Sequence, residues 1–382
     1  MQLSPVLTAT GTYPFVRLDE AKRRLAAAGV ELIDFGKGDP REETDPLIRQ
    51  ALVDSIEPLS SYPLAEGLPE LRQAVAAWCA RRFGVELDPE AEVIPTYGSK
   101  EAIFHLAQVV LDRDGDKSLV LATEPGYPVY ERGALFAGAA VERLPLLEEN
   151  AFLPDLDGIT EETWDRTAIF WINYPNNPTG AVAPLDFLDR LAMLAAEHDV
   201  LLAADEAYTE LWFDEPPSSA VQVGERSHVA VFQTLSKRSS MTGYRSGFVA
   251  GPPGLIAALK QYRPTVGTAP QEFVQRASVV AWGDEEHVER TREIYRRKRA
   301  VLLPVFERKG IRVAGSAATM YLWLEVPAGE TSEELAERLL EHGLIVSPGT
   351  FFGPSGAGYW RLALVPNEAE CARAAEILEQ VL

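Results

Sequence analysis

The sequence predicts an α/β fold in which helices cover a mostly parallel sheet, joined to a smaller α+β lobe. Three observations carry this. From about residue 46 to 280 short apolar runs alternate with amphipathic stretches, the rhythm of strands joined by helical crossovers. A long charged stretch, VERTREIYRRKRAVLLPVFERKG (288–310), then has apolar residues at helical spacing and predicts a connecting helix. Beyond it, IRVAGS (311–316), MYLWLEV (320–326) and YWRLALV (359–365) read as hairpin-like strands.

In chain order, the strands expected in the large sheet are SLVLA (118–122), VERLPL (141–146), AIFWIN (168–173), VLLAAD (200–205), VAVFQT (229–234) and SGFVAG (246–251). In KEAIFHLAQVVL (100–111), Ile103, Leu106, Ala107 and Val110 fall at i, i+3, i+4 and i+7, which lays one apolar stripe on the sheet. No internal repeat, low-complexity tract or Gly/Ser-rich linker interrupts this order, so the two lobes should be rigidly joined around a cleft.

Composition narrows the function. The 382 residues suffice for more than one domain, and a hydrophobic fraction of 46% is that of an ordinary globular protein. Lys and Arg number 36 against 57 Asp and Glu, a formal charge of −21 that repels phosphate backbones and anionic lipid, so neither nucleic acid nor a membrane is an expected partner. The N-terminal MQLSPVLTATGTYPF has no basic n-region and no continuous apolar h-region, which predicts a cytoplasmic protein. Cys79 and Cys371 are expected to be reduced thiols; the five histidines are scattered, and no metal site is expected.

The chemistry-bearing residues lie at strand ends. Lys237 follows VAVFQTL, where open α/β sheets place their ligands, and partial desolvation there makes an amine nucleophilic enough for a Schiff base. An isolated Ser-Lys is more often a surface loop. Arg245 supplies a planar donor fork, with Thr234 and Ser236 adding hydroxyls beside the lysine. Gly98, Ser99 and Lys100 open a helix whose first N–H groups favour phosphate, although Gly-Ser is also an ordinary cap. In NYPNNPTG the proline after Asn177 holds that asparagine extended, or the segment is a plain turn. Asp205 ends an apolar strand and needs a cation. Tyr127 and Tyr130 offer flat faces, or are core aromatics.

A Schiff-base lysine, a phosphate pocket, a carboxylate in need of a cation and an aromatic face are what pyridoxal 5′-phosphate requires. GKGDP, YPLAEGLPELRQAVA, GSKEAI, EPGYPVY, NYPNNPTG, DEAY, TLSKRSSMTGYRSG and YWRLALV occur in that order, and with them the chain resembles the class I/II, fold-type I aminotransferases. The resemblance implies a large cofactor domain, residues 46–284, with a seven-stranded sheet, and a small domain built from both termini, residues 1–45 and 285–382. It makes Lys237 the cofactor-bearing lysine and proton carrier, and Asp205 the partner of the pyridine nitrogen. Asn177 and Tyr208 would bond the cofactor's 3′-oxygen, and Tyr127 would stack on its ring. Gly98, Ser99, Lys100, Thr234, Ser236 and Arg245 would surround the phosphate. Arg361, helped by Gly38 and Asn177, would take the substrate α-carboxylate. Tyr62 would reach the phosphate of a neighbouring subunit, which implies a homodimer with shared active sites.

Within the family, the longer stretches SSYPLAEGLPELRQAVAAWCARRFGV, TYPFVRL and AWGDEEHV look most like N-succinyldiaminopimelate aminotransferases. Glutamate would then donate its amino group to N-succinyl-2-amino-6-oxopimelate. Such a substrate needs a second anion site, for which Arg17, Lys37, Arg41, Arg238 and Arg263 are the candidates. The alternatives are an aspartate, aromatic or LL-diaminopimelate aminotransferase, then a carbon–sulfur lyase or a non-catalytic regulator on the same scaffold.

Overall fold

A computed structural model describes residues 1–9 and 29–382, with 22, 23, 25 and 27 between them. Arg17 lies outside the described residues.

The described strands fall into three sheets. β1 (Ile33–Asp34) comes first in the chain and pairs far downstream. β2 (Val93–Thr96), β3 (Leu119–Glu124), β4 (Ala140–Pro145), β5 (Thr167–Asn173), β6 (Leu201–Asp205), β7 (Val229–Thr234) and β8 (Gly247–Ala250) form the large sheet. Its order is β2-β8-β7-β6-β5-β3-β4, and only β8 runs against its neighbours. β3, β5 and β7 are buried along their whole length and apolar over most of it, as expected of strands covered on both faces. β4, at one edge, is largely open. The strand at the other edge, β2, was not among the six sequence runs because it contains Pro95; an edge tolerates a residue without an N–H.

β9 (Val313–Gly315), β10 (Tyr321–Glu325), β12 (Ser347–Pro348) and β13 (Tyr359–Ala363) make a four-stranded antiparallel sheet in the order β12-β13-β10-β9, while β11 (Leu344–Ile345) pairs with β1. The long helix Glu286–Arg308 packs its Tyr295, Leu302, Val305 and Phe306 into the core of this smaller sheet.

Alternation along β5 shows how the large sheet is covered. Phe170 and Ile172 face one apolar cluster, Ile169 and Trp171 the other. In the first, Trp78 meets Trp282 at 4.6 Å, Phe83 at 5.3 Å and Phe248 at 6.1 Å between ring centres. Each such pair adds about 1 kcal/mol beyond its buried area. Tyr208 and Leu211, just past β6, belong to the core of the smaller sheet. The two cores therefore interlock beside the ends of β5, β6 and β7. No helix among the described residues is long and apolar enough to cross a membrane.

Candidate active site

A cavity of about 580 Å3 opens at the carboxyl ends of β5, β6 and β7, with the smaller sheet as its opposite wall. Ser99, Lys100, Tyr127, Asn177, Asp205, Tyr208, Thr234, Ser236, Lys237, Arg245 and Arg361 all line it, with Gly38. Of the residues singled out in the sequence, Gly98 sits just behind it and Tyr62 does not line it. Tyr62 is 99% exposed.

Asn173 and Asp205 end adjacent strands and lie opposite each other in register, and the Asn173 amide donates to the Asp205 carbonyl at 2.7 Å. The Asp205 carboxylate accepts the Tyr130 hydroxyl at 2.7 Å and the Ala207 N–H at 3.2 Å. Burial nevertheless pushes it up to about 6, against the opposing pull of those two donors. No lysine or arginine forms an ion pair with it among the described residues. Tyr130 is held in place by stacking on Trp171 at 4.8 Å, 14° between planes. Tyr130 is a core aromatic, as one of the two readings had it, and its hydroxyl also serves the carboxylate. Tyr127 meets Tyr130 edge-on at 5.7 Å and itself faces the cavity.

Lys237 stands on a single helical turn, Leu235–Arg238, which starts where β7 ends because the Thr234 hydroxyl accepts the Ser236 N–H at 3.1 Å. Its amine donates to the Gly38 carbonyl. Burial pushes this amine down to about 8; Asp39 opposes the shift, while Arg361, Arg245 and Lys100 add to it. Half-buried and holding its proton less tightly than an ordinary lysine, Lys237 is suited to act as a nucleophile and proton carrier.

The opposite end of the cavity is built for an anion. Gly98 caps helix Ser99–Val110 with no side-chain cap, so the helix's first N–H groups face the space beside Lys100 and Arg245. Gly98 has φ +72°, and a Cβ there would fall 2.4 Å from Arg245 Nη2, so only glycine fits. Burial and then the Arg245 charge hold Lys100 below the usual lysine range, a strain that a bound anion relieves. A phosphate fits at this end and a protonated ring nitrogen fits Asp205, as pyridoxal 5′-phosphate demands.

The far wall comes from β10 and β13. Trp323 lies opposite Arg361 in register, which puts Tyr321 diagonal to Arg361 on one face, with its ring 4.3 Å from the guanidinium. Phe352 lies 4.6 Å from the same group. Arg361 is 2% exposed and donates to Asn177 Oδ1 at 2.9 Å and the Gly36 carbonyl at 2.6 Å. Tyr208 and Tyr321 share a hydroxyl contact of 2.8 Å. Tyr321, Phe352, Asn173 and Asp39 were not singled out in the sequence. Asn173, ending AIFWIN, and Asp39, inside GKGDP, had a positional signal; Tyr321 and Phe352 reach the cavity through packing between sheets.

The expected second anion site is reduced by the geometry. Arg238 is consumed by the Ala281 carbonyl at 2.6 Å and Glu285 at 2.8 Å, with Trp282 beneath it at 5.0 Å. Arg263 donates to the carbonyls of Ala65 at 2.7 Å and Pro95 at 2.5 Å. Arg41 pairs with Glu370 at 3.6 Å and borders a different cavity. Arg238 and Arg263 are structural, Arg41 lies away from the site, and of the described candidates only Lys37 lines it. Both cysteines are free and buried, and no group of His, Cys, Asp and Glu able to hold a metal converges among the described residues.

The family model described as aminotransferase class I and II matches residues 30–378. The LL-diaminopimelate aminotransferase of Nitratidesulfovibrio vulgaris is 40% identical over 380 residues, 98% of this chain and 97% of that one. The Aquifex aeolicus protein of the same name is 41% identical over 374 residues, 96% of each chain. Among solved structures, a probable N-succinyldiaminopimelate aminotransferase from Thermus thermophilus superposes with a TM-score of 0.89 at 31% identity, covering 96% of this chain and 100% of the other.

Proposed function

The chain belongs to the class I and II aminotransferases, which use pyridoxal 5′-phosphate, and on that premise we propose that it moves an amino group between LL-2,6-diaminopimelate and 2-oxoglutarate. The observation that carries the substrate is the pair of relatives of that name matching nearly the whole chain at 40% and 41% identity. The N-succinylated substrate expected from local sequence stretches has a solved neighbour in its favour at 31% identity, and ranks second.

The cofactor supplies a carbonyl that condenses with amines and an electron-poor ring that withdraws the electrons released at the substrate α-carbon. Everything else falls to side chains. Lys237 holds the cofactor and then carries the α-proton, which an amine whose proton affinity is lowered by burial can both take and return. Asp205, a buried carboxylate with no cation paired to it among the described residues, holds the ring nitrogen protonated. Asn177 and Tyr208 bond the 3′-oxygen, and Tyr127 supplies a ring face. Ser99, Lys100, Thr234, Ser236 and Arg245, with the backbone at Gly98, hold the phosphate. Arg361 takes the α-carboxylate as a bidentate pair, with Asn177 and Gly38 beside it.

The same reading divides the chain into a cofactor domain over 46–284 and a small domain from 1–45 and 285–382, and makes it a cytoplasmic enzyme. It also includes a homodimer. Leu47, Val53, Ile56, Leu59 and Leu64 are between 52% and 81% exposed, an apolar seam around the fully exposed Tyr62. A second copy covering this seam would deliver Tyr62 to its partner's phosphate end.

The test is an absorbance titration of the holoenzyme with LL-diaminopimelate, its N-succinyl derivative, aspartate and glutamate. Conversion of the lysine-bound cofactor band to the amine form by LL-diaminopimelate and glutamate, with little response to the other two, is the expected result. A response to the acylated compound and none to free LL-diaminopimelate overturns the substrate assignment.

A further inference from the structure

Gly36, Lys37 and Gly38 form a strap pinned on both sides of the reacting centre. The Gly36 carbonyl accepts from Arg361 at 2.6 Å and from the Ser347 hydroxyl at 2.7 Å. The Gly38 carbonyl accepts from Lys237, and a Cβ on Gly38 would lie 1.9 Å from the Tyr321 hydroxyl oxygen. Just beyond, Glu42 is locked by Lys298 and by the Tyr295 hydroxyl at 2.9 Å. These contacts fix the backbone on either side of residues 37 and 39. Both line the cavity, Lys37 half-buried and Asp39 exposed at its mouth.

We propose that Lys37 and Asp39 form a distal subsite, Lys37 taking a carboxylate and Asp39 an ammonium, which selects a diamino diacid with a free zwitterionic far end. This rests on the aminotransferase reading above. Two opposite charges flanking one glycine match a terminus that carries both an acid and an amine. A glutamate terminus presents the acid alone, and an acylated terminus carries no ammonium. Lys37 and Asp39 both line the same cavity as Lys237 and Arg361, so both charges border the space a substrate's far end would occupy. Arg361, which would hold the α-carboxylate, also holds the strap through the Gly36 carbonyl.

The test compares kcat/KM ratios in the holoenzyme, so that any common effect on Lys237 cancels. Asp39→Asn should lower the ratio for LL-diaminopimelate over glutamate by about tenfold or more, the size of a lost charge-assisted hydrogen bond. It should not lower the ratio for the N-succinyl derivative over glutamate. Lys37→Gln should lower the ratio for LL-diaminopimelate over alanine by a similar factor. Unchanged ratios in both variants, with LL-diaminopimelate turned over normally by the wild type, overturn the subsite and leave the proposed reaction standing. No turnover of LL-diaminopimelate by the wild type removes the reaction and the subsite together.

Discussion

Asp205 and Glu206 are consecutive, both buried, and face opposite sides of the large sheet. On the core side, Glu206 is satisfied by its own chain: it accepts from the Ser219 hydroxyl at 2.6 Å, the Ala220 N–H at 2.7 Å and the Gln233 amide at 3.0 Å. Burial pushes it up to about 7, against these three donors and the Arg82 charge. On the cavity side, Asp205 has one phenol and one N–H, and burial lifts it to about 6. The difference lies in what each still lacks. Glu206 completes a structure, whereas Asp205 leaves a demand for positive charge that only a ligand can meet.

The strongest way to break this contrast is at the cavity's centre. Lys237→Ala should cut transamination by about 10^3-fold or more, since both the attachment point and the proton carrier go; residual turnover within tenfold of wild type would remove Lys237 from the chemistry. Next, Glu206→Ala should destabilise the protein by roughly 4 kcal/mol in urea unfolding, because three buried donors lose their acceptor.

Asp205→Asn should act with the opposite sign in cofactor-free protein. Asp205 binds its proton more tightly folded than unfolded, so its stability penalty is absent below about pH 4, grows as pH rises from about 4 to about 6, and is fully present above that. Cofactor-free Asp205→Asn should therefore exceed wild type by about 3 kcal/mol at pH 8, with the gap closing at pH 4. In dialysis the same variant should lose cofactor faster. A destabilised Asp205→Asn at pH 8 would make Asp205 a structural carboxylate like its neighbour. The smallest effect is expected of Tyr130→Phe, which removes one donor worth about 1 kcal/mol. It should raise the Asp205 titration point further, read in cofactor-free protein from the pH dependence of its unfolding, and lower stability by no more than that amount.

Much of the large sheet is legible from apolar runs, because strands buried on both faces are apolar nearly throughout. β2 escaped because four residues containing a proline carry no strand signal. At the site, Lys237, Asp205 and Asn177 stand out by following such runs. Arg238 misleads for a physical reason: it is one residue from Lys237 on the same helical turn, so it points about 100° away, into the Trp78 and Trp282 rings instead of the cavity. Proximity in sequence to a reactive residue says little about direction. Tyr130 was visible as an aromatic, but its hydroxyl partner lies 75 residues on.

By itself the sequence determined the fold class, the strand ends that carry the reactive groups, and the chemical types placed there. These follow from burial periodicity and turn chemistry, which are local. Only the tertiary structure decided which cations face the substrate, what holds Asp205, and that Arg361 meets Asn177 from 184 residues away. Those outcomes depend on how two sheets interlock and which way each side chain leaves its element, and the spacing of residues along one chain does not encode the register between elements.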